Sequence, residues 1–151
     1  MSFEGTSLKW SKYEKFVSEF GKWAWILGIL SGIINLIWGL YTIITLASLP
    51  SGLGIYAMDA SIWLILSGIF AILISYLIIK PKFSEKCAIQ DWSFLLENWI
   101  ILLGNFRFPW MLFWGIIMCI FGYGWGGIPI LIPSILLLFA GPIKFEWSTK
   151  G

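Results

Sequence analysis

The groups able to do chemistry are few, and most lie in one stretch. There is no histidine, which removes the commonest general base and metal ligand. The two cysteines, Cys87 and Cys119, form no CxxC pair. Their expected depths, one at a membrane surface and one mid-span, put them out of disulfide reach, so both read as packing residues. Asp91 and Glu97 lie among several cations, between Lys80 and Arg107. Six residues apart, they stand about 120° apart around a helix, which is poor geometry for gripping a metal beside a lipid phosphate. GYGWGG at 122–127 separates two apolar runs and follows no strand, so it is no phosphate loop. The sequence therefore predicts no catalytic residue, no cofactor and no metal site.

The elements that must carry these residues are apolar. Hydrophobic residues make up 59% of the chain and charged ones 12%, against about a quarter charged in soluble domains. The charges also fall in blocks: 1–22, 80–107 and the residues after Pro142, with Asp59 alone between. Four runs separate the blocks. Residues 23–49 and 60–79 make a first transmembrane hairpin, joined by a turn at PSGLG. Residues 108–123 and 128–143 make a second, joined by GWGG. The expected class is an all-α integral membrane protein with four transmembrane helices in two hairpins. Pro81 should end the second span, Pro133 should kink the fourth, and Gly141–Pro142 should end it.

An interfacial amphipathic helix is expected before each hairpin. In residues 7–22 Trp10, Tyr13, Phe16, Val17 and Phe20 recur at three- and four-residue spacing, with lysines on the other arc. Ser11 and Glu14 have capping-box spacing. The reading favours a helix lying flat in the headgroup layer over one packed on its own protein. Residues 84–105 show a similar period, with Ala88, Trp92, Leu95, Trp99 and Leu103 on one face. The matching positions of Trp10 before Gly21 and Trp92 before Gly104 raise a duplication as a minority reading.

Lysine and arginine lie before the first run, between the second and third, and after the fourth, and the other two connections have none. By the positive-inside rule both termini and residues 80–107 are cytoplasmic, in the cell membrane. Lys80, Lys82, Lys86 and Arg107, with Trp92 and Trp99, are expected to touch lipid headgroups, each cation contributing on the order of 1 kcal/mol. Asp59 is expected to cap the second span.

Small residues mark the helix-packing faces: Gly28, Gly32, Asn35 and Gly39 on the first span, Ser67, Gly68 and Ala71 on the second, Gly115 and Gly122 on the third. Without side chains, backbones approach closely. The words ILSGI at 29–33 and 65–69 are identical, but in antiparallel spans this is not a copied contact and carries little weight. The functional expectation is a non-enzymatic membrane protein acting by packing, as a homo-oligomer or an accessory subunit. Its partners would be lipids and itself or another membrane protein, with no nucleic acid. An uncoupled facilitator with a polar path past Ser31, Asn35, Thr42, Ser67 and Ser75 is the alternative, and a lipid-headgroup enzyme a remote one.

Overall fold

No proline occurs before Pro50, so nothing in the first third of the chain removes a helical rung. Helix α1 accordingly runs unbroken from Phe3 to Ala47, 45 residues, about 67 Å of helix. The computed structural model describes residues 3–49 and 54–149, and side chains over 10–49 and 58–149. It is 77% helical. The break expected near residue 22, between a flat helix and a span, is absent. The expected aromatic face is also split: Trp10 and Val17 are buried, whereas Tyr13 and Phe16 are exposed. The buried stripe is instead Trp10, Val17, Ser18, Gly21 and Ala24, because small residues let α1 lie close to α3 (Glu85–Ala88). The Ser18 hydroxyl donates to the Cys87 carbonyl at 2.9 Å, and a Cβ on Gly21 would strike Cys87. Ser11 lies inside α1 and is not its N-cap, while Glu14 accepts a hydrogen bond from Trp92 Nε1 at 3.0 Å.

Helix α2 (Gly54–Ile74) passes without interruption into a π-helical stretch, Ser75–Ser84, and then into α3. Pro81 sits inside this run and does not end it, contrary to expectation. The wider π-helical turn gives the Pro81 ring room against the preceding turn, and the Glu85 N–H reaches the Lys80 carbonyl. Asp59 lies beyond the first turn of α2 and is not its cap. Most of the expected PSGLG turn, residues 50–53, lies outside the described residues.

The helix expected over 84–105 stops early. Gln90 takes a positive φ of 57° and ends α3. Asp91 then accepts from Ser93 Oγ and the Phe94 N–H, opening a short π-helical turn at Phe94–Asn98. Strands β1 (Ile100–Leu103) and β2 (Phe106–Pro109) follow as an antiparallel hairpin, with Leu103 opposite Phe106. Gly104 at φ 63° makes the two-residue turn with Asn105. Gly-Asn between β-prone runs is a hairpin signal that outweighs the helical period here. The C-terminal tail lies along β2: the Arg107 N–H donates to the Trp147 carbonyl and the Thr149 N–H to the Asn105 carbonyl. Gly21 is therefore mid-helix and Gly104 in a β-turn, so the two glycines do not stand in matching structure.

Helices α4 (Trp110–Phe121) and α5 (Ile128–Ala140) form the second hairpin. They have 12 and 13 residues, or about 18 and 20 Å. Among the described residues two stretches are helical, long and apolar enough to cross a membrane, Trp10–Ala47 and Met58–Ala88, whereas α4 and α5 are shorter. Pro133 lies within α5, and α5 gives way to extended backbone at Gly141. One buried cluster joins the parts, from Trp10 and Trp92 through Phe83 and Met111 to Met118 and Leu137.

Candidate functional site

The contact between α1 and α2 is built from glycine. A Cβ on Gly32 would lie 2.7 Å from the Gly68 carbonyl oxygen, and one on Gly68 would lie 2.6 Å from that of Gly32. Each backbone thus occupies the space the other's missing side chain leaves. Gly39 likewise faces Ile65 and the Ser61 carbonyl, and Gly28 faces Ser75 and Met118. Ser67 and Ala71 are fully buried. The two ILSGI words meet across this contact. Antiparallel pairing of identical words creates a local two-fold relation, so their identity has a structural meaning that reading them as parallel copies would miss.

The second hairpin leans on the same face of α1. Asn35 Nδ2 donates to the Phe121 carbonyl at 2.8 Å, an oxygen that α4 leaves open at its last turn. Cβ atoms on Gly122 and Gly126 would come within 2.8 and 2.7 Å of Ser31 Oγ. Gly115 faces Leu131 and Ile130 of α5. All nine small or polar positions named from the sequence therefore have a neighbour within this chain.

Residues named for a polar path are engaged as well. Ser31 donates to the Gly28 carbonyl, Ser67 to Leu64 and Thr42 to Trp38, and Ser75 Oγ lies 4.0 Å from Met118 Sδ. Ser31, Asn35, Ser67 and Ser75 are buried. Outside them stands a belt of exposed Leu, Ile, Phe and Trp side chains on α1 and α2.

The charged end is organised by aromatic faces. Lys80 Nζ sits 4.8 Å over Trp25 and 4.9 Å over Tyr76. Lys82 and Lys86 lie over Phe94, and Lys86 pairs with Asp91 at 3.1 Å. The Lys86 ammonium, with the hydrogen bonds from Phe94 and Ser93, holds the Asp91 carboxyl below its usual range. Trp92 and Trp99, expected at the headgroups, are buried instead at 7% and 9% exposure. Trp92 meets Trp10 edge to face, 5.3 Å between centroids. Beneath β2 lies a recess of about 390 Å³ with Glu97, Arg107, Lys144 and Glu146 on its walls, and the Arg107 guanidinium lies 5.6 Å from the Phe145 ring. Asp91 is spent on its own turn, and Glu97 faces this recess, so the two acids play separate roles. Among the described residues no group of three metal-ligating side chains is gathered.

Sequence reasoning passed over Ser18, Gly21 and Ala24, which extend the glycine stripe toward the N-terminus at three-residue steps, a visible signal. Phe145 and Trp147, in a basic-aromatic tail too short to show a period, pack edge to face at 4.9 Å. No known protein family, curated protein or solved structure matches this chain.

Proposed function

We propose that this is a non-enzymatic integral membrane protein that works by packing, as a homo-oligomer or as an accessory subunit of a membrane complex. Both termini and residues 80–107 face the cytoplasm. Every hairpin returns the chain to the side it left, so the placement of the cationic blocks carries this orientation. Lys80, Lys82, Lys86 and Arg107 hold the protein to anionic headgroups.

One observation carries the reading. Polar side chains in the middle of the apolar helices turn inward and spend their hydrogen bonds on this chain, while the outside is covered by large apolar side chains. A facilitator needs polar groups left open to solute, so this arrangement favours packing. The glycine stripes are filled from within the chain, which leaves the apolar belt as the surface for another subunit.

The test is particle mass after extraction into native-lipid discs, paired with a solute-flux assay in liposomes. A particle heavier than one 17.2 kDa chain with its lipid, and no flux, is expected. A single chain that carries small solutes would overturn the proposal.

A further inference from the structure

The two hairpins reach different depths. Lys22 over Trp23 and Lys80 over Trp25 mark one level at the base. From Trp25, α1 climbs ten residues to Asn35, about 15 Å, where Asn35 binds the end of α4 at Phe121. Phe121 also stacks between Trp63 and Phe70 of α2, which sets the same level on the partner helix. The turn at 122–127 therefore lies beside Ser31 and Asn35. Above it α1 continues to Ala47, about 18 Å further, with α2 alongside. A bilayer core is about 30 Å thick, so the turn sits near its middle.

We infer that α4 and α5 form a re-entrant hairpin confined to the cytoplasmic leaflet, and that acyl chains of the opposite leaflet fill the recess above its tip. The inference rests on the membrane placement proposed above and replaces the four-crossing arrangement expected from the sequence. In the cytoplasmic half the protein presents four helices, in the other half two.

Two features of the tip suit this depth. It contains no charge, and it satisfies much of its own backbone: the N–H groups of Gly122, Gly124, Gly127 and Ile128 bond to Met118, Cys119 and Gly124 carbonyls. Asn35 takes the helix-end carbonyl that water would otherwise serve. Non-helical backbone at membrane depth is tolerated when it is held by protein in this way. Placing the tip at the far water surface would instead push Ile37, Trp38, Tyr41 and Ile44 into water at 61–71% exposure. Lipid is the occupant because Trp38, on the side of α1 toward the tip, is large, apolar and exposed.

Single cysteines test this in a background with Cys87 and Cys119 replaced by alanine, using an impermeant maleimide on intact cells and on inverted vesicles. Ser48→Cys should label from outside. Trp125→Cys and Tyr123→Cys should resist from both sides and label only after detergent. A fluorophore placed on Trp125→Cys through a permeant maleimide should be quenched most by lipids brominated near the chain ends. Trp38→Cys should give no cross-linked dimer under copper oxidation. External labelling of Trp125→Cys and Tyr123→Cys alongside Ser48→Cys would show a full crossing and overturn the inference alone. A cross-linked Trp38→Cys dimer would put a second copy in the recess and overturn the lipid assignment. Failure of Ser48→Cys to label from outside, in protein that elutes as a single species, would overturn the membrane placement itself.

Discussion

The first hairpin, α1–α2, and the second, α4–α5, are both apolar, yet they are held by different means. The first is joined backbone to backbone through Gly32 and Gly68. The second packs a glycine under a side chain, Gly115 under Leu131, and depends on Asn35 of α1 to finish its turn. The difference teaches a direction of dependence: α1–α2 is complete without the second hairpin, whereas the second hairpin needs a donor from α1.

The sharpest way to break that comparison is Gly32→Leu. The new side chain meets the Gly68 backbone, which cannot rotate away, so the substitution should cost on the order of 1–3 kcal/mol or more. Thermal aggregation in detergent should fall by several degrees with particle mass unchanged, because the contact lies inside one chain. Ile37→Leu, at a position 62% exposed, should change neither. Equal melting of the two variants would mean the glycine contact does not hold the hairpin.

Asn35→Leu should have the next largest effect, and a local one. It leaves the Phe121 carbonyl unpaired at a cost of about 1–2 kcal/mol. Hydrogen exchange should quicken across 122–127 and stay unchanged at 61–72. Quickening in both regions would show that the hairpins are equally dependent.

Trp92→Phe probes the charged end, where the segment after α3 is tied to α1. It keeps the ring against Trp10 but removes the bond to Glu14, for about 1 kcal/mol. Proteolysis between Ala88 and Gly104 should become faster while α1 and α2 stay intact. Unchanged proteolysis would remove Glu14 as the tie.

The smallest effect is a pH dependence. The Asp91 carboxyl is held below its ordinary value of about 3.9. The charged form is thus favoured in the folded state. Its contribution is present above that ordinary value and is lost as pH falls through the lower folded one. The Lys86–Asp91 pair is about 30% exposed, so water screens it and the loss should be slight. Asp91→Asn should flatten the acid limb of the stability curve; an identical limb in the variant would assign it to other carboxylates.

Legibility followed the kind of signal. Apolar runs with no charge could only be long helices, and two of them are. The small-residue stripe on α1 was readable because a glycine wastes apolar surface unless a backbone lies against it. Periodicity misleads after α3, where Ala88, Trp92, Leu95, Trp99 and Leu103 keep a helical period although the backbone is not one helix. A positive φ at Gln90 and the Gly-Asn turn override it, and both are local backbone events that periodicity does not report. Trp92 and Trp99 looked interfacial because tryptophan often is, but Trp10 and Glu14 give Trp92 partners that only a folded chain can supply.

By itself, then, the sequence determined where apolar helices form, which side of each hairpin carries cation, and which faces are small enough for close approach. These are properties of composition and spacing along one strand of chain. The tertiary structure alone decided that the ILSGI words face each other, that α1 continues past Lys22 without a break, and how far the second hairpin reaches. Depth is a relation between elements. It depends on which residue of α1 binds which residue of α4, and the bond from Asn35 to Phe121 joins positions 86 residues apart, a separation at which no local pattern carries the information.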